Sequence, residues 1–269
     1  MDLGSAFAVS VLRQPHQEAI VDGARRCSYA QWYAEIKSVA GGLQELGLQS
    51  GQHFVVVMRN RYEMATLYWA CHLLGAIFTP VSWRATADEI KYCLEDAEAA
   101  ALAYDGAAGD AAPQAAAALG IDPARIVAAA DGKGEGCRYE ALLDARPVRG
   151  PSAPDERSTC LMLYTSGTTG RPKGVPRSHR SELAAAISHI AQNQYRRGES
   201  SLGVMPLFHT MGIRILLGAS LLNGRFVCVP SYSADEILRL TAQERLTSLF
   251  LVPTMFHDLL RHPQFGPST

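Results

Sequence analysis

Excess charge of either sign is what this 269-residue sequence lacks most plainly: 25 Lys and Arg stand against 26 Asp and Glu, a formal net charge of −1. Without a basic excess there is no broad electrostatic footprint for nucleic acid or for an anionic membrane, and neither is expected as a partner. The one dense basic pair, Arg196-Arg197, reads as a solvated surface turn. Long hydrophobic runs are missing as well. The best candidate, 65–79, is interrupted by Tyr68, His72 and Gly75 and is too short to span a bilayer. The first twelve residues lack the basic start and apolar core of a signal peptide. No Cys-x-x-Cys pair occurs among the six cysteines at 27, 71, 93, 137, 160 and 228, so buried, reduced thiols in a cytoplasmic protein are expected. His257 and His262 lie five apart, off a common helical face, and no metal site is expected from them. No internal repeat of fixed period is present. Hydrophobic residues make up 48% of the chain, enough for a sizeable core.

What is present is an alternation of helix-like and strand-like segments. Residues 5–13 read as a helix, and 19–22 with 26–29 read as a hairpin around Gly23-Ala24. Ser28 caps a helix over 30–46 that stops at Gly47. A strand at 54–58 follows, then a helix capped by Asn60 and ending before Gly75, a strand at 77–81, a helix over 86–95 and a strand at 100–104. The Ala-rich stretch 107–119 predicts a plain surface helix, and 146–157, with three prolines, predicts a linker. Beyond it come a strand at 160–164, a glycine-rich loop, a helix over 179–195, strands at 201–205, 226–230 and 248–252, and helices over 213–222, over 234–244 and from Pro253 onward. Apolar strands separated by helices mean βαβ units, so the fold class is α/β with parallel sheets flanked by helices. The linker divides the chain into a first α/β subdomain, 1–155, and the start of a second, 156–269.

The chemistry concentrates in 164–174, Tyr-Thr-Ser-Gly-Thr-Thr-Gly-Arg-Pro-Lys-Gly. Thr165, Ser166, Thr168 and Thr169 offer hydroxyl donors, while Gly167, Gly170 and Gly174 let bare N–H groups turn toward an anion. Lys173 adds a mobile positive charge, and Pro172 stiffens the turn before it. The loop follows a buried strand, where α/β sheets place their ligands, and it suits a polyphosphate. It is not a Walker loop, since Lys173 precedes Gly174 and no hydroxyl residue follows to hold magnesium.

These eleven positions resemble the signature of the acyl-CoA synthetases, the adenylation domains of peptide synthetases and the firefly luciferases. Residues 80–90 (Pro-Val-Ser-Trp-Arg-Ala-Thr-Ala-Asp-Glu-Ile), 206–209 (Pro-Leu-Phe-His) and 248–254 (Ser-Leu-Phe-Leu-Val-Pro-Thr) look like further segments of those enzymes. The resemblance implies two αβαβα-type subdomains of a large amino-terminal domain, the second truncated. It also implies that Thr165, Ser166, Gly167, Thr168, Thr169, Gly170 and Lys173 hold the β- and γ-phosphates of ATP. Lys173 and His209 become the catalytic candidates, with His209 at the edge of an acyl pocket lined by Thr210, Met211, Ile213 and Phe250. His179 is given no role beyond a cap for the helix that follows.

The implied reaction has two steps. A carboxylate oxygen attacks the α-phosphorus of Mg2+-bound ATP and pyrophosphate leaves; a thiol, coenzyme A, then takes the acyl group. The order of motifs looks most like ligases for aromatic or heteroaromatic carboxylic acids. A homodimer is left open. The Tyr-Gly-x-Thr-Glu and Thr-Gly-Asp segments of the resembled enzymes do not occur here, nor does their mobile carboxy-terminal lid domain with its lysine. The resemblance is therefore to an amino-terminal portion, and the chain alone is expected to be inactive in ATP–pyrophosphate exchange. Two other readings stand beside acid–CoA ligation: an adenylation domain that loads a carrier protein, and a non-catalytic module that binds a phosphate-bearing ligand or a partner protein.

Overall fold

The computed structural model describes residues 1–165 and 170–266. Helix α1 (Leu3–Arg13) leads into a hairpin, β1 (Glu18–Asp22) and β2 (Arg25–Ser28). Helix α2 (Tyr29–Glu45), strand β3 (His53–Val57), helix α3 (Tyr62–Leu74), strand β4 (Ile77–Pro80), helix α4 (Ala87–Asp96) and strand β5 (Ala101–Tyr104) then alternate. Helix α5 (Ala111–Ala118), strands β6 (Ile126–Ala128) and β7 (Cys137–Arg138) and helix α6 (Tyr139–Leu143) precede the proline-rich stretch. After it come β8 (Thr159–Thr165), β9 (Lys173–Ser178), α7 (His179–Gln192), β10 (Ser200–Gly203), α8 (Thr210–Leu221), β11 (Arg225–Cys228), α9 (Ala234–Gln243) and α10 (Pro253–Leu260).

Local chemistry explains many of these boundaries. Ser28 and Gln31 form a capping box at the start of α2, and Thr86 and Glu89 form another on α4. Gly75 ends α3 with φ 73°, a left-handed conformation that costs glycine little. Asn60 departs from expectation. The residue before α3 is Arg61, which makes no side-chain cap bond, and α3 forgoes about 1 kcal/mol of capping. The Asn60 side chain is committed elsewhere. His179 is likewise the first residue of α7 and not its cap, a place Ser178 takes.

Seven strands pair in the order β7-β6-β5-β3-β4-β8-β9, and four in the order β10-β11-β1-β2. All neighbours are parallel except the hairpins β8/β9 and β1/β2. The α/β class, with mainly parallel sheets flanked by helices, is the one the alternation predicts. The proposed subdomain boundary falls at 155/156, and strands pair across it. Phe78 of β4 pairs with Leu161 of β8, and Ile20 of β1 pairs with Phe226 of β11, so each sheet takes strands from both sides of it. The proline-rich stretch lies back on the first half, with Val148 N–H donating to Lys37 O and Ser152 N–H to Leu73 O. It delivers β8 to the open edge of β4, which would otherwise stay unpaired.

Other departures are local. Strand β9 was expected as loop: Gly174 and Pro176 argue against a strand, yet an edge strand tolerates both. The strand expected at 248–252 reduces to one bridge, Ser201 to Ser248. The Ala-rich helix is split at Gly109, φ 55°, into a 3-10 turn and α5.

The alternating side chains of β3 explain the layers. Phe54 and Val56 face a core shared with α1, α2, α3 and α8, while Val55 and Val57 face α4 and α5. The four-stranded sheet closes the far side of that helical layer through Ile20 and Phe226, and turns Val21 and Val227 toward α9 and α10. Among the described residues no helix is long and apolar enough to cross a membrane.

His72 sits fully buried in the central layer, and neither ring nitrogen has a hydrogen-bond partner. Burial, and then the neighbouring His179, hold its pKa well below the ordinary 6.5. The unfolded chain therefore binds a proton near pH 6 that the folded chain refuses, and stability falls as pH drops below about 6.5. Replacing His72 with phenylalanine should flatten the dependence of unfolding free energy on pH between about 6.5 and 5, by up to about 1.4 kcal/mol per pH unit. Urea melts across that window measure it; an unchanged slope would show that His72 is protonated in the folded state.

Candidate active site

Strand β8 lies between β4 and the edge strand β9 of the seven-stranded sheet, with Cys160, Leu161 and Leu163 buried, and its last residues emerge at the carboxyl end. Tyr164 fixes that exit: its hydroxyl donates to Asp96 Oδ2 at 2.8 Å at the end of α4. The chain returns as β9, pairing Thr165 with Lys173 and Tyr164 with Gly174. Thr165 and Lys173 thus face each other across the base of a β-hairpin. Both are exposed, and among the described residues none forms an ion pair with Lys173. Gly170 adopts φ 90° in open space. Ser166, Gly167, Thr168 and Thr169 lie outside the described residues.

A second wall comes from the turn between β10 and α8. His209 N–H closes the turn onto Pro206 O at 3.0 Å, and His209 stands at the N-cap of α8 without a side-chain cap bond. Gly212 packs α8 so tightly against the turn that a Cβ there would lie 2.5 Å from Met205 O and closer still to Pro206 O. Arg177 of β9 joins the two walls. Its guanidinium donates to Thr210 Oγ1 at 3.0 Å and pairs with the buried Glu182 carboxylate at 2.7 Å. A third wall, after β4, carries Ser82 and Arg84; Arg84 stacks 3.9 Å over the Trp83 ring. Glu89 beside them is occupied as the capping partner of Thr86.

The walls enclose an open cleft of about 350 Å3, lined by Ser82, Arg84, Thr165, Pro172, Phe208 and His209 among others. Motifs up to 125 residues apart in sequence, Arg84 to His209, therefore meet in one place. Desolvation lowers the His209 pKa, favouring the neutral ring, which can both donate and accept a hydrogen bond. Thr165, Lys173 and the bare backbone at Gly170 fit a polyphosphate's need for hydroxyl, cationic and N–H donors.

Of the residues expected to line the acyl pocket with His209, the structure places Phe250 elsewhere. Phe250 packs on His189, ring centroids 4.9 Å apart, in a separate small cavity on the Arg214–Gly218 face of α8. Ile213 is core, Met211 is half-buried, and Thr210 is tied to Arg177. Arg177 and the Tyr164 hydroxyl carry no local signal of their roles, and Asn60 carries only that of a cap, because all three act through partners distant in sequence.

His72, Cys160 and His179 bring their ligand-type atoms within 4.8 Å of one another. Leu3 N–H donates to His179 Nδ1 at 3.2 Å, which puts the neutral ring's proton on Nε2 and leaves that nitrogen no lone pair for a metal. So arranged, the trio is a packing cluster and not a ligand set.

The sequence profile of the AMP-binding enzyme family matches residues 7–268. The chain belongs to that family. It is 29% identical over 265 residues to a feruloyl-CoA synthase of Amycolatopsis sp, covering 98% of this chain and 51% of that protein. It is 27% identical over 241 residues to the long-chain-fatty-acid–CoA ligase FadD13 of Mycobacterium tuberculosis, covering 90% of this chain and 47% of the other. The chain thus spans about half the length of the curated relatives it matches. Its fold superposes on the inhibitor-bound amino-terminal domain of FACL13 from Mycobacterium tuberculosis with a TM-score of 0.87, at 23% identity, over 98% of this chain and 66% of that one.

Proposed function

We propose that the complete protein is an ATP-dependent, AMP-forming carboxylate–CoA ligase acting on a small aromatic or heteroaromatic acid. The observation that carries the reading is the single cleft shared by the hairpin base, with Thr165 and Pro172, and the Phe208-His209 turn. ATP would supply the activating adenylyl group, and Mg2+ bound with it would offset the charge of its phosphates. Thr165, Gly170 and Lys173, with the loop between them, would hold the departing pyrophosphate. Neutral His209 would sit beside the reacting carboxylate, orienting it without neutralising it.

The two relatives named above act, by their names, on an aromatic and on a long-chain acid at nearly equal identity, 29% and 27%. The preference for aromatic acids rests instead on the cleft's short apolar wall of Pro80, Val81 and Phe208. Benzoate and furoate should support ATP–pyrophosphate exchange and CoA thioester formation with kcat/KM at least roughly tenfold above palmitate. A panel led by long-chain acids would sink the substrate assignment, and exchange without thioester formation would point to a carrier protein as acyl acceptor.

A further inference from the structure

Asn60 stands where β3 has ended and α3 has yet to begin, yet its side chain caps nothing. Its Nδ2 donates to Gly203 O at 2.8 Å and to Met205 O at 2.7 Å, and its Oδ1 accepts Leu207 N–H at 2.9 Å. These are three of the four hydrogen bonds a primary amide can make, all to backbone 143 to 147 residues away. The residue is 4% exposed, so water does not compete for these groups. Among the described residues, Asn60 is the one side chain hydrogen-bonded to the backbone of 203–207. That stretch runs from the end of β10 into the turn that ends at His209. An amide that leaves its own helix uncapped to grip a distant turn breaks a local rule, and such breaks gather at functional sites.

We propose that Asn60 is a positioning residue. It anchors the β10–α8 turn to the carboxyl end of β3 in the other sheet, and so sets how far Phe208 and His209 reach into the cleft opposite the Thr165–Lys173 hairpin base. The amide is needed because two carbonyls and one N–H must be met by a single short side chain. Aspartate keeps an acceptor for Leu207 but turns an anion toward the carbonyls of Gly203 and Met205; alanine meets none of the three. The inference rests on the proposed function only for the chemistry the turn serves.

The test reads histidine ring resonances and amide exchange by NMR in the full chain, with no nucleotide or acid present, so a failed ligase assay leaves it intact. In the native protein the Leu207 amide should exchange as slowly as that of Leu202 inside β10; an unprotected Leu207 overturns the proposal without any variant. In Asn60→Asp and Asn60→Ala the His209 ring resonances should move and Leu207 exchange should accelerate at least roughly tenfold, while the His72 and His179 resonances in the central layer hold still. A general loss of stability would not move native-state His209 resonances selectively. A folded variant with unshifted His209 and unchanged Leu207 exchange refutes the assignment.

Discussion

Shortening Phe7 to alanine should lower the free energy of unfolding by about 4 kcal/mol. The ring is fully buried on α1. It stacks on Trp69 at 4.2 Å and meets Trp32 edge-on at 5.4 Å, with Tyr29 and Tyr33 at 6.0 Å. Those walls are themselves large and rigid: Trp32 is held by its indole N–H to Thr66 Oγ1 at 2.9 Å, and Tyr29 by its hydroxyl to Gly224 O at 2.7 Å. They cannot slump into the space a lost ring leaves, which places the cost toward the high end for such truncations. Polar bonds hold the two ends of α1, Leu3 N–H to His179 Nδ1 at 3.2 Å and Asn223 Nδ2 to Ser10 O at 2.7 Å, and Phe7 is the apolar anchor between them. The outward residues of the helix, Val9 and Leu12, are exposed, and Leu3, Phe7 and Val11 make up its large buried apolar side chains. Urea unfolding measures the effect as a shift in midpoint at constant slope. A loss below about 2 kcal/mol would mean that the central layer repacks.

The second large effect belongs to Gly212. A methyl group there meets the backbone oxygens of Pro206 and Met205, and Met205 O is already held by Asn60. Neither side can yield without moving α8 from the turn, so Gly212→Ala should cost about 1–3 kcal/mol of stability. A displacement of about 1 Å at His209 should also lower kcat/KM of the proposed ligase reaction by about 10²-fold. Gly218, two turns further along α8, is the control. Its nearest neighbours would be side-chain atoms at 3.8 and 4.0 Å, ordinary contact distances, so Gly218→Ala should be neutral or stabilising by up to about 1 kcal/mol. Calorimetry and acid-dependent pyrophosphate exchange on the pair would separate them. Equal behaviour would show that the turn and α8 are less tightly joined than the backbone implies.

The sequence announced its parallel strands because strands buried on both faces must be apolar throughout, as 54–57 and 101–104 are. Ser28 announced its helix because a cap is local, made with Gln31 three residues on. The 164–174 loop was legible because few residue types combine a bending backbone with hydroxyl and cationic donors. What stayed hidden depended on pairing across distance. Strand β9 looks like loop until β8 lies beside it. Asn60 satisfies the local rule for a cap and is drawn away by carbonyls more than 140 residues downstream. Arg177 bears no mark of its bond to Thr210, and Phe250 follows the displaced 248–252 segment to the far face of α8. The course of the chain beyond the proline-rich stretch was hidden likewise, since composition marks a linker but not which strand the chain joins after it.

The placement of β1 between β2 and β11 also bears on how the protein is made. Ile20 waits for Phe226, 206 residues later, before its parallel partner exists. At ordinary elongation rates the ribosome needs about ten to forty seconds to cover that gap. Throughout it the β1 edge of the hairpin stays free as well as the β2 edge, and Ile20 and Val21 lack the strand that later lies beside them. A nascent chain in that state is a substrate for chaperones, and a pause in translation before residue 225 would lengthen its exposure to aggregation.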